Sequence, residues 1–223
     1  MSIIERLISV IAPHACLACG AEGSLLCRWC LPDAFDPVPS RCYKCYKQTK
    51  DSLVCGSCKR SSRLKHVWVA TEYNGLAKEL VRKFKFQHAQ AADALLAKAI
   101  SKSLPFLPDY VIVPVPTASS RRRARGYDHT KLITKQLSCI TGLPAARALT
   151  RLGQSRQVGS KRKQRQSQMI DAFNFVGPMS VKGKHVLLID DIVTTGATLE
   201  EAAKTLKKSG AKSVSAAVFA QSQ

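Results

Sequence analysis

Acidic residues are scarce in this chain. Fifteen Asp and Glu stand against thirty-five Lys and Arg, a formal net charge of +20 over 223 residues. Such a deficit implies an anionic partner: nucleic acid, polyphosphate or a membrane surface. Long apolar runs are also missing. No segment approaches the roughly 20 apolar residues that a membrane-spanning helix needs, so a spanning segment is not expected. The opening stretch MSIIERLISVIAPHAC carries Glu5 and Arg6 inside its apolar part and breaks at Pro13. It reads as one or two amphipathic turns rather than a secretion signal, and a cytoplasmic location is the expectation. Aromatic residues make up only 6%, which leaves little material for stacking on nucleobases. The Walker-type phosphate loop and the three-glycine dinucleotide turn are both absent.

What is present begins with cysteine. Eight of the nine cysteines form C-x2-C pairs: Cys16 and Cys19, Cys27 and Cys30, Cys42 and Cys45, Cys55 and Cys58. Two residues between thiolates let one tight knuckle aim both sulfurs at a tetrahedral ion. Disulfides fit poorly with a chain lacking a secretion signal, and redox C-x-x-C sites come singly rather than four in series. The spacing predicts two structural zinc sites of four thiolates each, paired in sequence order; an interleaved pairing is the other arrangement it allows. Four protein ligands per ion leave no open position for catalysis. Cys139 stands alone on a helical pattern and reads as a packed core thiol.

After residue 65 the pattern changes, which divides the chain into a small cysteine-rich domain (1–65) and a larger one (66–223). Strand-like HVWVATEY (66–73) is followed by helical GLAKELVRKFKF (75–86), with Leu76, Leu80, Val81 and Phe84 on one face. AADALLAKAISKSL (91–104) reads as a helix, DYVIVPVP (109–116) as a buried strand ended by Pro114, and TKLITKQLSCI (130–140) as a helix stopped by Gly142. Strand HVLLID (185–190), helix TLEEAAKTLKKSG (198–210) and strand SVSAAVFA (213–220) complete an α/β pattern with a parallel sheet and helices on both faces.

The stretch HVLLIDDIVTTGATLEE carries the chemistry. An aliphatic strand delivers Asp190 and Asp191 to its carboxyl end, where open α/β sheets bind ligands. The turn then runs through Thr194, Thr195, Gly196, Ala197 and Thr198 into a helix. Thr198 and Glu201 have capping-box spacing, which predicts a helix start at Thr198. A helix N-terminus, hydroxyl donors and a glycine suit a phosphate. Carboxylates would repel that phosphate, so they should face another part of the ligand. Sugar hydroxyls near a divalent cation are the natural candidates.

VLLIDDIVTTGAT resembles the 5-phosphoribosyl 1-pyrophosphate (PRPP) motif of type I phosphoribosyltransferases. The resemblance implies that Asp190 and Asp191 contact the ribose hydroxyls, that Thr194 to Thr198 hold the 5′-phosphate, and that Mg2+ accompanies PRPP. YNGLAKELVRKFKF, VPVP, RRRARGYDHTKLI and the closing AVFA strand further resemble the ComF competence proteins, in which a double zinc ribbon precedes a type I phosphoribosyltransferase-like domain. Arg121, Arg123 and Arg125 match that family's basic positions after VPVP. Asp128 and His129 stand where it has Asn and Gln. Gln157 and Arg165 match its mobile segment, and Gln168 replaces an Asn.

Residues 121–165 hold thirteen Lys or Arg against Asp128 alone, a net +12. Arg121, Arg123 and Arg125 are candidates for pyrophosphate. Lys161, Arg162, Lys163 and Arg165 are candidates for a loop closing over the site. One small ligand does not need thirteen cations. The surplus points to single-stranded DNA, with Arg122, Lys131, Lys135, Arg151 and Arg156 as candidate contacts; a solvated basic loop is the plain alternative. Beside the plain reading of a zinc-stapled scaffold that retains an ancestral PRPP pocket, two functions follow. One is a PRPP-binding, DNA-handling protein of natural transformation, working with other DNA-uptake or helicase proteins. The other is an active transferase that releases pyrophosphate from PRPP to an acceptor.

Overall fold

The structure, a computed structural model, describes residues 14–86, 91–152, 172–177 and 181–222. In chain order its elements after the cysteine-rich segment are β1 (Val67–Glu72), α1 (Gly75–Phe86), α2 (Ala92–Ser103), β2 (Tyr110–Pro114), α3 (Ser119–Arg125), α4 (His129–Thr141), β3 (Leu149–Arg151), β4 (Phe173–Phe175), β5 (His185–Val193), α5 (Ala197–Lys208) and β6 (Ser213–Gln221). Among the described residues β1, β6, β5 and β2 form, in that order, a wholly parallel sheet. β3 and β4 form a separate antiparallel pair.

A parallel sheet covered on both faces needs strands that are apolar on both faces. β5 meets this with Val186, Leu187, Leu188 and Ile189, all fully buried. Val186 and Leu188 join a layer with Leu199, Ala202, Ala203 and Leu206 of α5. Leu187 and Ile189 join the opposite layer with Leu80 and Phe84 of α1, Leu96 and Ile100 of α2, and Ile133 and Leu137 of α4. Each such side chain contributes roughly 1.5–3 kcal/mol of transfer free energy.

The cysteine-rich segment straddles the sheet. Cys42, Tyr43, Val54, Cys55 and Leu64 belong to the α5 layer. Cys16, Leu25 and Leu26 belong to the other layer, and Phe35 sits edge-on against Phe219 of β6, ring centroids 5.1 Å apart.

Four local expectations need correction. Cys139 is exposed: the buried stripe of α4 is Thr130, Ile133, Thr134 and Leu137, and a residue two past Leu137 points away from it. On α1, Ala77 rather than Leu76 joins Leu80, Val81 and Phe84 in the buried face. α5 starts at Ala197, with Gly196 at its N-cap position, so Thr198 lies inside the helix rather than capping it. β5 runs past Asp190 and Asp191 to Val193 because β6 continues beside it to Gln221. The arginine run after VPVP, read only as a basic stretch, is the helix α3, closed by Gly126 in the left-handed conformation at φ 76°. The opening stretch 1–13 lies outside the described residues.

Candidate functional site

β2 ends at Pro114, opposite Ile189, and Val115 N–H donates to the Ile189 carbonyl at 2.9 Å. β6 continues on the other side of β5. Asp190 and Asp191 therefore stand just where one neighbouring strand has stopped, at the carboxyl end of the sheet, the ligand-binding end of open α/β folds.

The two carboxylates have different surroundings. Asp191 is buried. Its Oδ2 meets the Lys85 ammonium of α1 and lies 3.2 Å from His129 Nε2 of α4. His129 Nδ1 is 3.1 Å from an Arg125 amine and 3.1 Å from Thr117 Oγ1. Arg donates only, so Nδ1 accepts and Nε2 carries the proton that faces Asp191. Burial opposes ionisation of Asp191, but the His129 bond and the Lys85 charge outweigh it and hold its carboxyl below the ordinary range. Asp190 is half-buried. Burial and the charge of Asp191 push its carboxyl well above the usual carboxylate value. The pair thus divides into a carboxylate whose ionised form is favoured and one whose ionised form is disfavoured, a difference that a nearby cation would reduce.

That division has a measurable consequence. A raised carboxyl pKa contributes stability that is present below the unfolded value of 3.8 and is lost as pH rises through the folded value. Asp190→Asn removes this loss. The ligand-free variant should melt at a higher temperature than the parent at pH 8 and match it more closely near pH 4. A ligand that needs the ionised carboxylate should bind the parent more tightly as pH rises and lose that dependence in the variant. Thermal melts and PRPP titrations at several pH values check both.

Beyond the pair, Thr194 and Thr195 are exposed, while Gly196 is buried at φ 75°. Glu200 N–H bonds the Gly196 carbonyl at 2.9 Å, which closes the first turn of α5. Ala197 N–H faces Thr195 Oγ1 at 3.4 Å. The first amides of α5, those of Ala197 and Thr198 among them, have no intrahelical carbonyl to meet, which suits a phosphate.

The cysteines gather into two groups, Cys16, Cys19, Cys27 and Cys30, and Cys42, Cys45, Cys55 and Cys58. This is the sequence-order arrangement. Tetrahedral zinc with Zn–S near 2.3 Å separates its sulfurs by about 3.8 Å. Cys19 and Cys27 lie 3.8 Å apart, and Cys45 and Cys55 3.5 Å. Amides of Cys27, Cys19 and Ala18 pull the Cys16 thiol down to about 6. Bonds to Cys27 and Cys19 hold the Cys30 thiol up at about 12. Without a cation four clustered thiols cannot all ionise, so the donor set fits a dication held by four thiolates.

A third feature is a cavity of about 560 Å³ beside the VPVP strand, lined by Arg122, Arg123, Lys131, Arg147 and Arg151. Arg122, Lys131 and Arg151, three of the candidate DNA contacts, thus line the same cavity as the pyrophosphate candidate Arg123. Lys135 is exposed one helical turn beyond Lys131. Arg125 instead turns inward to His129. Arg121 lies on α3, its side chain outside the described set, as are Lys161, Arg162, Lys163, Arg165, Arg156 and Gln157. Thr117 and Asp128 also line the cavity. Thr117 reaches Asp191 through His129, so a single imidazole separates the cationic cavity from the acidic pair. Of the aromatic residues near the cysteines, Tyr43 and Trp68 are buried, whereas Trp29 and Tyr46 are exposed with Arg28 and Arg41 over their rings.

The motifs single out neither Lys85 nor Arg147 as a site residue, and they mark His129 only as the residue that stands where the ComF motif has Gln. The pattern of α1 sets Lys85 apart from the apolar face and gives no sign of its reach to Asp191. Nothing local to Arg147 marked it.

A profile of the phosphoribosyl transferase domain matches residues 140–223. The chain is 28% identical over 220 residues to competence protein ComFC of Bacillus subtilis, covering 87% of this chain and 89% of that protein. It is 30% identical over 175 residues to DNA utilization protein YhgH of Salmonella typhi, covering 73% of this chain and 75% of that one. Among solved structures, a hypoxanthine phosphoribosyltransferase of Staphylococcus aureus shares 18% identity at a TM-score of 0.33, over 59% of this chain and 62% of that one. No helix among the described residues is long and apolar enough to cross a membrane. On the relatives at 28% and 30% identity, with which the cysteine groups and the parallel sheet agree, the chain belongs to the ComF family of competence proteins.

Proposed function

We propose that this protein acts in DNA uptake, binding PRPP with Mg2+ at the Asp190 to Thr198 turn and single-stranded DNA along its cationic face. The observation that carries the reading is the junction at His129. An acidic pair beside a helix N-terminus lies one side chain away from a cavity with five cations. The 5′-phosphate would take the amides of Ala197 and Thr198 and the hydroxyls of Thr194 and Thr195. The Asp190 carboxylate would accept from a ribose hydroxyl. Mg2+ prefers oxygen ligands and keeps several waters, so the half-buried Asp190 suits it better than Asp191, whose Oδ2 already meets Lys85 and His129. Held by this carboxylate, the ion would offset the charge of the pyrophosphate.

The DNA part of the reading draws on relatives named for competence and DNA utilization and on the +12 segment. With most aromatic rings buried or covered by arginine, the phosphates rather than the bases should dominate. Five phosphate contacts would give a log–log slope of affinity against salt of about −3.5. The decisive experiment titrates PRPP and Mg2+ with and without a single-stranded oligonucleotide, over a salt series, and monitors pyrophosphate release. Saturable PRPP binding and a steep salt slope are expected. A flat slope would remove DNA from the reading, and steady pyrophosphate release would favour an active transferase.

A further inference from the structure

The second cysteine site touches the phosphate turn directly. Tyr43 lies between the ligands Cys42 and Cys45, and its ring covers Gly196 at the N-cap of α5. A Cβ at Gly196 would fall inside the van der Waals envelope of the Tyr43 ring and only 3.2 Å from its hydroxyl. The Tyr43 hydroxyl donates to Glu200 Oε1 at 2.5 Å. Glu200, in the first turn of α5, also accepts from Ser62 Oγ at 2.5 Å and from Arg63 N–H at 2.7 Å, with Lys44 Nζ at 3.4 Å. One carboxylate of α5 therefore gathers four donors from residues 43–63. The knuckle is tied to the sheet as well. Gln221 at the end of β6 donates to the Tyr43 carbonyl at 2.9 Å, and Arg41 bridges Gln221 and Glu72.

From this geometry we infer that the second zinc ribbon is a wall of the phosphoribosyl site, with Tyr43 and Glu200 as positioning residues for the phosphate turn. The inference rests on the PRPP reading and deepens it. Gly196 takes its left-handed turn at no steric cost, and the Tyr43 ring packs into the space that a side chain would take. Metal at Cys42, Cys45, Cys55 and Cys58 fixes the knuckle, the knuckle fixes the ring, and the ring and Glu200 fix the amides that would receive the phosphate. When a turn adopts its competent form only part of the time, apparent affinity falls by that fraction. The cysteine module is thereby part of ligand binding, and a partner that moves the knuckle would change PRPP affinity.

The test measures PRPP affinity with Mg2+ calorimetrically on the full-length, zinc-loaded protein, with zinc content determined for each variant. Tyr43→Ala should retain two zinc ions per chain and bind PRPP at least roughly tenfold more weakly. Tyr43→Phe keeps the ring against Gly196 and should remain within about threefold of the parent. Should Tyr43→Ala lose zinc, Glu200→Gln supplies the reading instead: it keeps shape and weakens the grip on Lys44, Ser62 and Arg63, and a drop of threefold or more is expected. Parent-like PRPP affinity in zinc-replete Tyr43→Ala, or in Glu200→Gln where that replaces it, overturns the inference while leaving PRPP binding intact. A parent protein that binds no PRPP overturns the underlying reading instead.

Discussion

Asp191→Ala should destabilise the protein by about 3 kcal/mol, the larger of the two single-carboxylate effects on stability. Asp191 meets two partners that cannot easily replace it, the Lys85 ammonium and His129 Nε2, and all three side chains are largely withdrawn from solvent. Removing one member of a buried charge pair leaves the other uncompensated, which costs roughly 3–5 kcal/mol. In a domain of this size that corresponds to a fall of roughly 6–12 °C in melting temperature. Asp190→Asn should move melting in the opposite direction, because Asp190 is the carboxyl whose ionisation the folded state resists. Adjacent acids in one motif thus give opposite stability signs. pH supplies a further check. The depressed Asp191 value contributes stability that is present above the unfolded value of 3.8 and lost as pH falls below it. The melting curve of the parent should accordingly soften below about pH 4, and that of Asp191→Ala should soften less. Equal melting temperatures for parent and Asp191→Ala at pH 7 would refute the Lys85–Asp191–His129 anchor. Lys85→Met tests the same anchor from the other side.

The sequence made this anchor only half visible. The aliphatic run before Asp190 and the Thr-Gly turn after it are local signals, written in consecutive residues, and they placed the carboxylates and the helix entry to within one residue. The two cysteine groups were equally legible, because two-residue spacing is itself the physical requirement of a four-thiolate site. His129 and Lys85 were not, since they reach Asp191 from α4 and α1 across the sheet, and no periodicity encodes that meeting. Tyr43 and Gly196 lie even further apart in sequence. A tyrosine inside a C-x2-C pair looks the same whether it stacks on a base, lies in solvent or seals a turn 150 residues later. Cys139 shows the same limit on a small scale. Its helix was legible, but the face that the helix would bury depended on where the sheet and α2 stood.

Removing zinc should unfold the whole chain rather than the cysteine-rich segment alone. Cys42 is completely buried, and Cys55 nearly so, in the layer that also holds Val186, Leu188 and Val218 of the sheet. Cys16, Leu25 and Leu26 belong to the opposite layer with Phe219. Each cysteine group therefore closes one face of the same sheet, and losing either exposes apolar strand surface as well as its own knuckle. Structural zinc contributes apparent binding free energies of roughly 10–16 kcal/mol in small domains, comparable to the entire stability of a typical fold at roughly 5–15 kcal/mol. Two zinc ions per chain are expected in the native protein. A strong chelator applied under mild denaturant should release both, lower the melting temperature by at least about 15 °C and remove far-UV helical signal from residues well beyond 65. Cys42→Ser should act like chelation at the second site, since a serine hydroxyl replaces a thiolate in a buried tetrahedral position. Should the zinc-free chain keep its melting temperature and helical content, the cysteine groups would be ornaments on a sheet that closes by itself. The burial of Cys42 and Tyr43 among the residues of β5 and α5 argues that it does not.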